Sequence, residues 1–200
     1  MRHLAAAMWL LVAGLSLAGC ASSPYRLVPP GPVTAGTLSF TADDGWNALS
    51  GTSLKKNAGV WTRDGELLNR LIVLPDIEAG KTLFERPDEK AAIPPFRADM
   101  LPHEIAELVE SWLSKGFGEG ETLVESSGLR PAAYGDEKGF AFDLTLSLSE
   151  GPDYRGLVGG FVADGRLNLV IFLGALPYYF DRDRDLATHL IASARHVPPT

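Results

Sequence analysis

The chain has 200 residues, enough for one ordinary domain with a buried core. Apolar residues make up 46% and charged residues 22%, which is a globular composition, and the formal net charge is −7. An acidic chain argues against nucleic acid as a partner, because phosphate binding needs clustered lysine and arginine. Here the basic residues, Arg182 and Arg184 among them, are scattered between acids and are expected on a solvated surface. A single cysteine excludes an intramolecular disulfide and a thiolate metal site.

The first twenty residues have the layout of a secretory signal. Residues 1–3 give a short positive start, and residues 4–17 are apolar except for one serine. This run is too short to span a bilayer, because a hydrocarbon core needs about 20 apolar residues. Two small residues then precede Cys20. The pattern predicts a signal peptide that is removed.

The string LAGC at residues 17–20 resembles the lipobox of bacterial lipoproteins. The resemblance implies that residues 1–19 are cleaved off, and that Cys20 is acylated on its thiol and on its new amine. The chain would then be held at a membrane, since two or more acyl chains give stable anchoring. Ala21, in place of an aspartate, implies the inner leaflet of the bacterial outer membrane, facing the periplasm.

Residues 20–36 are expected to be the lipidated cysteine followed by a tether. Prolines at 24, 29, 30 and 32 favour a polyproline-like extension of about 3.1 Å per residue. Sixteen residues of that kind reach roughly 50 Å from the bilayer. We therefore expect a single globular domain over 37–200.

Two Asp-Gly pairs predict antiparallel hairpins, because Asp-Gly favours the positive φ angles of a type I′ turn. They are Asp64-Gly65, between strands at 59–63 and 66–74, and Asp164-Gly165, between strands at 157–163 and 166–176.

Two further strands are predicted ahead of the second hairpin. Residues 140–149 alternate strictly between apolar and polar side chains, which predicts a strand with one buried and one wet face. Residues 121–134 are expected to add another strand, although Pro131 interrupts them.

Two amphipathic helices are also predicted. The first begins after Leu101, where Pro102 suits the first helical position, and it ends near Gly116. The second follows the acids of the DRDRD run at 181–185, which are expected to cap it, and it ends before Pro198. The apolar stripes are Leu101, Ile105, Leu108, Val109 and Trp112 in the first helix and Leu186, Ala187, Leu190, Ile191 and Ala194 in the second.

This order of elements predicts an α+β fold, an antiparallel β-sheet with two amphipathic helices packed on it. The order, with GGFVADGRLNLVIFLGAL at 159–176 feeding the final helix, resembles the PsbP-like family over about 105–196. That resemblance implies a central antiparallel sheet between helices and a non-catalytic assembly or binding module. The string WTRDG at 61–65 is also similar to one found in uncharacterised bacterial lipoproteins.

No complete catalytic or metal-binding motif occurs in the sequence. The string HEIAE at 103–107 lacks the second histidine of the zincin pattern H-E-x-x-H, so a charged outer helix face is favoured. The DRDRD run alternates acids like the start of an EF-hand loop but lacks the loop's glycine and glutamate. We therefore expect no metal and no cofactor.

Aromatic residues give the best candidates for a partner surface. Tyr178, Tyr179 and Phe180 follow a strong strand, where amphipathic rings can line a binding surface or pack under the final helix. Phe96 lies in a long connection, residues 85–100, and long connections are often functional.

Three functions stay open at this stage. The first is a lipid-anchored periplasmic module that binds or scaffolds another envelope protein and is not an enzyme. The second is a hydrolase whose site is assembled from distant residues such as Asp43, His103 and Glu104. The third is a carrier of a small apolar ligand, which predicts a deep cavity under the helices.

Overall fold

The computed structural model describes residues 24–50, 58–83, 94–116 and 122–198. Within these ranges it contains eleven β-strands and two α-helices. The strands are β1 (Tyr25–Val28), β2 (Gly31–Ala35), β3 (Leu38–Ala42), β4 (Trp46–Leu49), β5 (Gly59–Thr62), β6 (Asn69–Ile77), β7 (Thr122–Tyr134), β8 (Glu137–Leu148), β9 (Tyr154–Ala163), β10 (Arg166–Ala175) and β11 (Arg195–His196). The helices are α1 (Pro102–Gly116) and α2 (Tyr179–Ala192).

The strands form two antiparallel sheets. The main sheet has eight strands in the order β1-β4-β5-β6-β10-β9-β8-β7, so that β1 and β7 are its edges. The small sheet has three strands in the order β11-β3-β2. The predicted α+β class, with helices on an antiparallel sheet, is confirmed.

Both faces of the main sheet are covered. Consecutive residues of β10 point to opposite faces, as strand geometry requires: Ile171 to the first and Phe172 to the second. On the first face α1 packs with Ile105 buried against the sheet. On the second face lie α2, through Leu190, and the small sheet, through Phe40. The result is a central sheet between two layers.

The predicted alternation of β8 is confirmed, since Phe140, Phe142, Leu144 and Leu146 are buried on the first face. The edge strand β7 includes Pro131, which an edge tolerates because one side of its backbone needs no hydrogen-bond partner.

The two Asp-Gly pairs behave differently. Asp164 and Gly165 both have positive φ and join residues 163 and 166, which pair directly, so the predicted two-residue turn is confirmed. Asp64-Gly65 lies instead in a six-residue connection, 63–68. The N–H groups of Leu68 and of Asn69, the first residue of β6, donate to the Gly65 carbonyl. The hairpin is present there, but the predicted two-residue turn is wrong.

Both predicted helices are present. Glu104 caps α1, because its Oε2 accepts from the Leu101 N–H at 2.7 Å. The start of α2 differs from the prediction: the helix begins at Tyr179, so the acids of 181–185 lie inside it and do not precede it. No helix in the described ranges is long and apolar enough to cross a membrane.

The predicted tether is wrong over most of its length. β1 pairs with β4, and β2 pairs with all five residues of β3, so residues from Tyr25 onwards already belong to the fold, ahead of the predicted start near Thr37. The four prolines are compatible with this pairing because Pro24 precedes β1, two lie between β1 and β2, and Pro32 lies on β2, an edge of the small sheet. The predicted signal peptide and Cys20 lie outside the described residues.

Asp76 links the small sheet to the main sheet through hydrogen bonds. It sits in a bulge of β6 with a φ of 55°, a conformation that bends the strand. Its carboxylate accepts from the Thr37 N–H at 2.9 Å and from the Thr37 hydroxyl at 2.5 Å, and its own N–H donates to Asn168 Oδ1 at 3.1 Å. The start of β3 is therefore held against the sheet by one side chain.

Candidate functional site

The four aromatic residues predicted as a partner surface do not stay together. Phe96 is fully buried in the core under α1, and its backbone N–H and carbonyl are bonded to Lys81 and Gly80. Phe180, in the first turn of α2, is buried against the main sheet, where its ring stacks on Phe172 of β10 at 6.2 Å. For these two residues the prediction is wrong, because a large apolar ring at a helix–sheet boundary gains more from burial than from exposure.

Tyr178 and Tyr179 remain as surface candidates. Tyr178 is 59% exposed, and Tyr179 is partly buried against the core of the first face. Their rings meet edge to face at 5.3 Å, and both lie within 5.5 Å of the Arg182 guanidinium. Such contacts hold the rings by aromatic and cation–π attraction, so the exposed ring has a fixed position.

Arg182 belongs to a cluster of charges that centres on a fully buried carboxylate. Asp183 is 0% exposed and accepts four hydrogen bonds. The donors are Arg63 Nη1 at 2.6 Å, Asn69 Nδ2 at 2.9 Å, Arg182 Nε at 2.8 Å and Arg182 Nη2 at 2.6 Å. The buried charge is thus both paired and hydrogen-bonded, as a desolvated carboxylate must be.

Two further acids extend this cluster to the surface. Asp44, beyond the end of β3, accepts from Arg63 Nη2 at 2.5 Å. Asp64 accepts from both terminal nitrogens of Arg182 and from Asn69. We call Asp44, Arg63, Asp64, Asn69, Arg182 and Asp183 the arginine–aspartate cluster.

The pKa values of the cluster follow from these contacts. The hydrogen bonds from Arg182 hold the pKa of the Asp64 carboxyl below its usual range, against a smaller opposing effect of burial. Hydrogen bonds to Asp183 and then to Asp64 raise the pKa of Arg182 above its usual range. Asp64 therefore stays ionised at neutral pH and is not a proton donor there.

The cluster brings the connection 63–68 to the start of α2. The carbonyl of Leu67 accepts from the Tyr154 hydroxyl at 2.6 Å, and that of Leu68 accepts from the Ala175 N–H at 2.8 Å. These contacts place the Leu67 side chain, 67% exposed, at the same rim of the main sheet as Tyr178. We call Leu67, Tyr178 and Tyr179 the rim patch.

The contacts of the cluster are structural, because they join the connection 63–68 to the start of α2. Each guanidinium is bound to carboxylates, and the Thr62 hydroxyl beside them donates to Asn69 Oδ1 and accepts from the Gly65 N–H. No activated nucleophile paired with a base is present in it. Elsewhere in the described ranges no group of three or more His, Cys, Asp and Glu side chains is arranged to hold a metal ion.

The three residues of the hydrolase hypothesis do not meet. Asp43 follows β3, in the layer that covers the second face of the sheet. His103 and Glu104 open α1 on the first face, and Glu104 is occupied by the Leu101 N–H and by Arg97 Nη2 at 3.0 Å. The main sheet separates the two groups, so they form no common site.

Sequence reasoning missed the arginine–aspartate cluster, although one signal was there. The buried positions of α2 follow helical spacing, and Asp183 occupies one of them. They are Phe180, Asp183, Ala187, Leu190 and Ile191. An acid on an apolar stripe needs a buried cation as partner. Arg182, expected on a solvated surface, is one of the two cations that supply it.

The whole fold has a known counterpart. The solution structure of cyanobacterial PsbP (CyanoP) from Synechocystis sp. PCC 6803 is similar to this chain with a TM-score of 0.56 and 11% identity. The similarity covers 91% of this chain and 99% of that chain. It shows a shared fold, which confirms the PsbP-like topology predicted from the order of elements. No family model and no curated protein matches the sequence.

Proposed function

We propose that this protein is a lipid-anchored module of the bacterial cell envelope that binds another envelope protein through the rim patch and catalyses no reaction. The anchor is the acylated Cys20, and the site of action is the periplasmic side of the outer membrane. The lipobox-like sequence supports the anchor, the exposed side chains of the rim patch support the binding role, and the paired charges support the absence of catalysis.

The observation that carries the binding role is the exposure of two large apolar side chains on a rigid base. Leu67 and Tyr178 are each more than half exposed, yet their backbone is held by hydrogen bonds. The carbonyls of Leu67 and Leu68 accept from Tyr154 on β9 and Ala175 on β10, and the Tyr178 carbonyl accepts from the N–H of Arg182 in the cluster. Leaving such side chains in water forgoes the free energy of burial, about 25 cal/mol per Å² of apolar surface. A partner that covers them recovers it without ordering a loop.

A second observation, the pairing of the charged groups with one another, supports the absence of catalysis. The most buried carboxylate of the described residues is bound to two arginines, and Asp43 lies on the opposite side of the main sheet from His103 and Glu104. Groups held in this way stabilise the surface next to them and do not act on a substrate.

Site-specific photocrosslinking in intact cells tests the binding role. A photoreactive amino acid replaces Leu67 or Tyr178, and the matched control replaces Leu129, which is 43% exposed on the distant strand β7. We expect one discrete adduct with an envelope protein from the rim patch and none from Leu129. Equal adduct patterns at all three positions would contradict the proposed surface.

Labelling cells with a palmitate analogue tests the anchor independently. The natural chain should incorporate the label and fractionate with the outer membrane, whereas Cys20→Ser should do neither. A labelled Cys20→Ser protein would contradict acylation at this residue.

A further inference from the structure

The apolar side chains of the rim patch lie among acidic ones. Four described segments with charged residues lie at this end of the main sheet, 43–45, 63–68, 149–153 and 176–182. The acids in them are Asp43, Asp44, Asp64, Glu66, Glu150, Asp153 and Asp181, and the basic residues are Arg63 and Arg182. Seven acids thus stand against two arginines around the patch.

The two arginines do not neutralise this surface, because both are already bound within the arginine–aspartate cluster. Their guanidinium groups contact three carboxylates, so the cluster itself keeps one negative charge in excess. Two other arginines stand on the neighbouring strands. Arg70 donates its Nε to the carbonyl of Glu66 at 2.5 Å. Arg155 follows Tyr154 on β9, so its side chain points to the opposite face of the sheet from the Tyr154 ring.

Two exposed acids lie directly beside the patch. The Asp153 carbonyl accepts from the Leu176 N–H at 2.8 Å, just before the two tyrosines. The next residue, Tyr154, donates its hydroxyl to the Leu67 carbonyl at 2.6 Å, so Asp153 is close to both segments that form the patch. Asp181 stands in the first turn of α2, where it offsets the positive end of the helix dipole. Both acids are exposed to solvent.

An apolar surface bordered by carboxylates favours lysine and arginine in a partner. These side chains have an apolar stem and a charged end, so the stem covers a leucine or a tyrosine while the charge stays at the carboxylates. The exposed ring of Tyr178 adds cation–π attraction, of the kind that it already makes with Arg182. Acids of a partner would meet like charges here, and such contacts exclude a partner.

We propose that the rim patch binds a basic segment of its protein partner, in which lysine or arginine side chains lie next to apolar ones. This inference rests on the proposed binding role of the patch and adds the chemistry of the occupant. An anionic lipid surface and a nucleic acid carry the wrong charge for this rim. The acidic rim also speeds the encounter with a basic partner, because opposite charges steer association.

Charge reversal beside the patch, combined with the photoreactive residue at Leu67, tests this inference in intact cells. The test variant is Asp153→Lys with Asp181→Lys, and a neutral version is Asp153→Asn with Asp181→Asn. The matched control, Glu107→Lys with Asp136→Lys, makes the same change in net charge at two exposed acids of α1 and of the β7–β8 turn. An exposed ion pair contributes up to about a factor of five in affinity. We expect the adduct yield to fall at least about fivefold on reversal and about twofold or more on neutralisation, and to stay unchanged in the control.

The outcomes separate this inference from the proposed binding role. If the natural chain gives no discrete adduct at Leu67, the binding role fails and this inference fails with it. If the adduct forms and its yield is unchanged in the reversed and neutral variants, the patch binds a partner but the basic character of that partner is overturned. An equal loss in the control would assign the effect to the net charge of the whole chain and would also overturn it. If circular dichroism shows that the reversed variant is unfolded, the neutral variant decides.

The adduct itself supplies a second measurement. Mass spectrometry of the crosslinked peptide identifies the segment of the partner that contacts the patch. We expect lysine or arginine beside the crosslinked position, and reversal of those residues to glutamate in the partner should restore the adduct with Asp153→Lys and Asp181→Lys. A crosslinked segment that is acidic or uncharged would overturn the proposal.

Discussion

Removing the buried carboxylate at the centre of the arginine–aspartate cluster, Asp183→Ala, should destabilise the fold strongly. The substitution deletes the acceptor of four hydrogen bonds at a position with no solvent exposure. It leaves two guanidinium groups, on Arg63 and Arg182, without their shared partner. Both kinds of loss are costly because the charges remain while their compensation disappears.

The magnitude follows from the burial of each partner. Breaking a buried ion pair by removing one member costs about 3–5 kcal/mol. The side chains of Arg63 and Arg182 are 28% exposed, so they recover some hydration, and the lower end, about 3 kcal/mol, applies. For a domain of this size that loss lowers Tm by about 6–12 °C.

Thermal and urea unfolding of the variant and of a matched control measure this loss. The control is Asp185→Ala, on the same helix, whose side chain is 84% exposed and contacts Arg184 at 3.3 Å. We expect the control to stay within about 0.5 kcal/mol of the natural chain, and Asp183→Asn, which keeps the shape but not the charge, to fall between the two alanine variants. Equal Tm values for Asp183→Ala and Asp185→Ala would refute the role given to the cluster.

Three further predictions concern pH and packing. Arg182 holds the pKa of the Asp64 carboxyl below its usual range, so ionised Asp64 stabilises the fold above about pH 4, and this contribution is lost as pH falls through the lowered pKa. Acid unfolding of Asp64→Asn, followed by circular dichroism, should therefore depend less steeply on pH. An acid unfolding curve equal to that of the natural chain would contradict this. Burial raises the pKa of Tyr134 to about 12, so its stabilising contribution is present below the usual tyrosine pKa and is lost as pH rises from about 10 through 12. The stability of Tyr134→Phe should therefore fall less steeply with rising pH than that of the natural chain. Equal alkaline unfolding curves would disprove this role of Tyr134. A Cβ on Gly159 would overlap Tyr134 and α2, so Gly159→Ala should cost about 1–3 kcal/mol of unfolding free energy, whereas Gly116→Ala, with open space around it, should cost nothing; similar losses in both would argue against close packing at this strand.

Much of the architecture could be predicted because it depends on local patterns. Alternating apolar residues predicted β8, since a strand's side chains point alternately to its two faces. The stripe from Ile105 to Trp112 predicted α1 in the same way. Asp164-Gly165 predicted its turn because both residues there must take positive φ, which these residue types allow.

The N-terminal segment shows where local pattern fails. Prolines predicted an extended tether, and the backbone is indeed extended in β1 (Tyr25–Val28) and β2 (Gly31–Ala35). Whether an extended segment stays in solvent or pairs with a strand depends on a partner that is far away in the sequence. β1 finds β4, and β2 finds β3, and composition carries no information about that choice.

The sequence by itself determined the strands and helices with regular apolar spacing, the α+β class, and the lipobox-like segment that motivates the anchor. Only the tertiary structure decided that Asp183 is buried between Arg63 and Arg182, that Phe96 and Phe180 belong to the core, and that Tyr178 is exposed. The physical reason is the sequence separation of the residues that set each property. Spacing along the chain sets which face a residue occupies, whereas burial and charge pairing depend on segments that meet across more than a hundred residues of sequence, as Arg63 and Asp183 do.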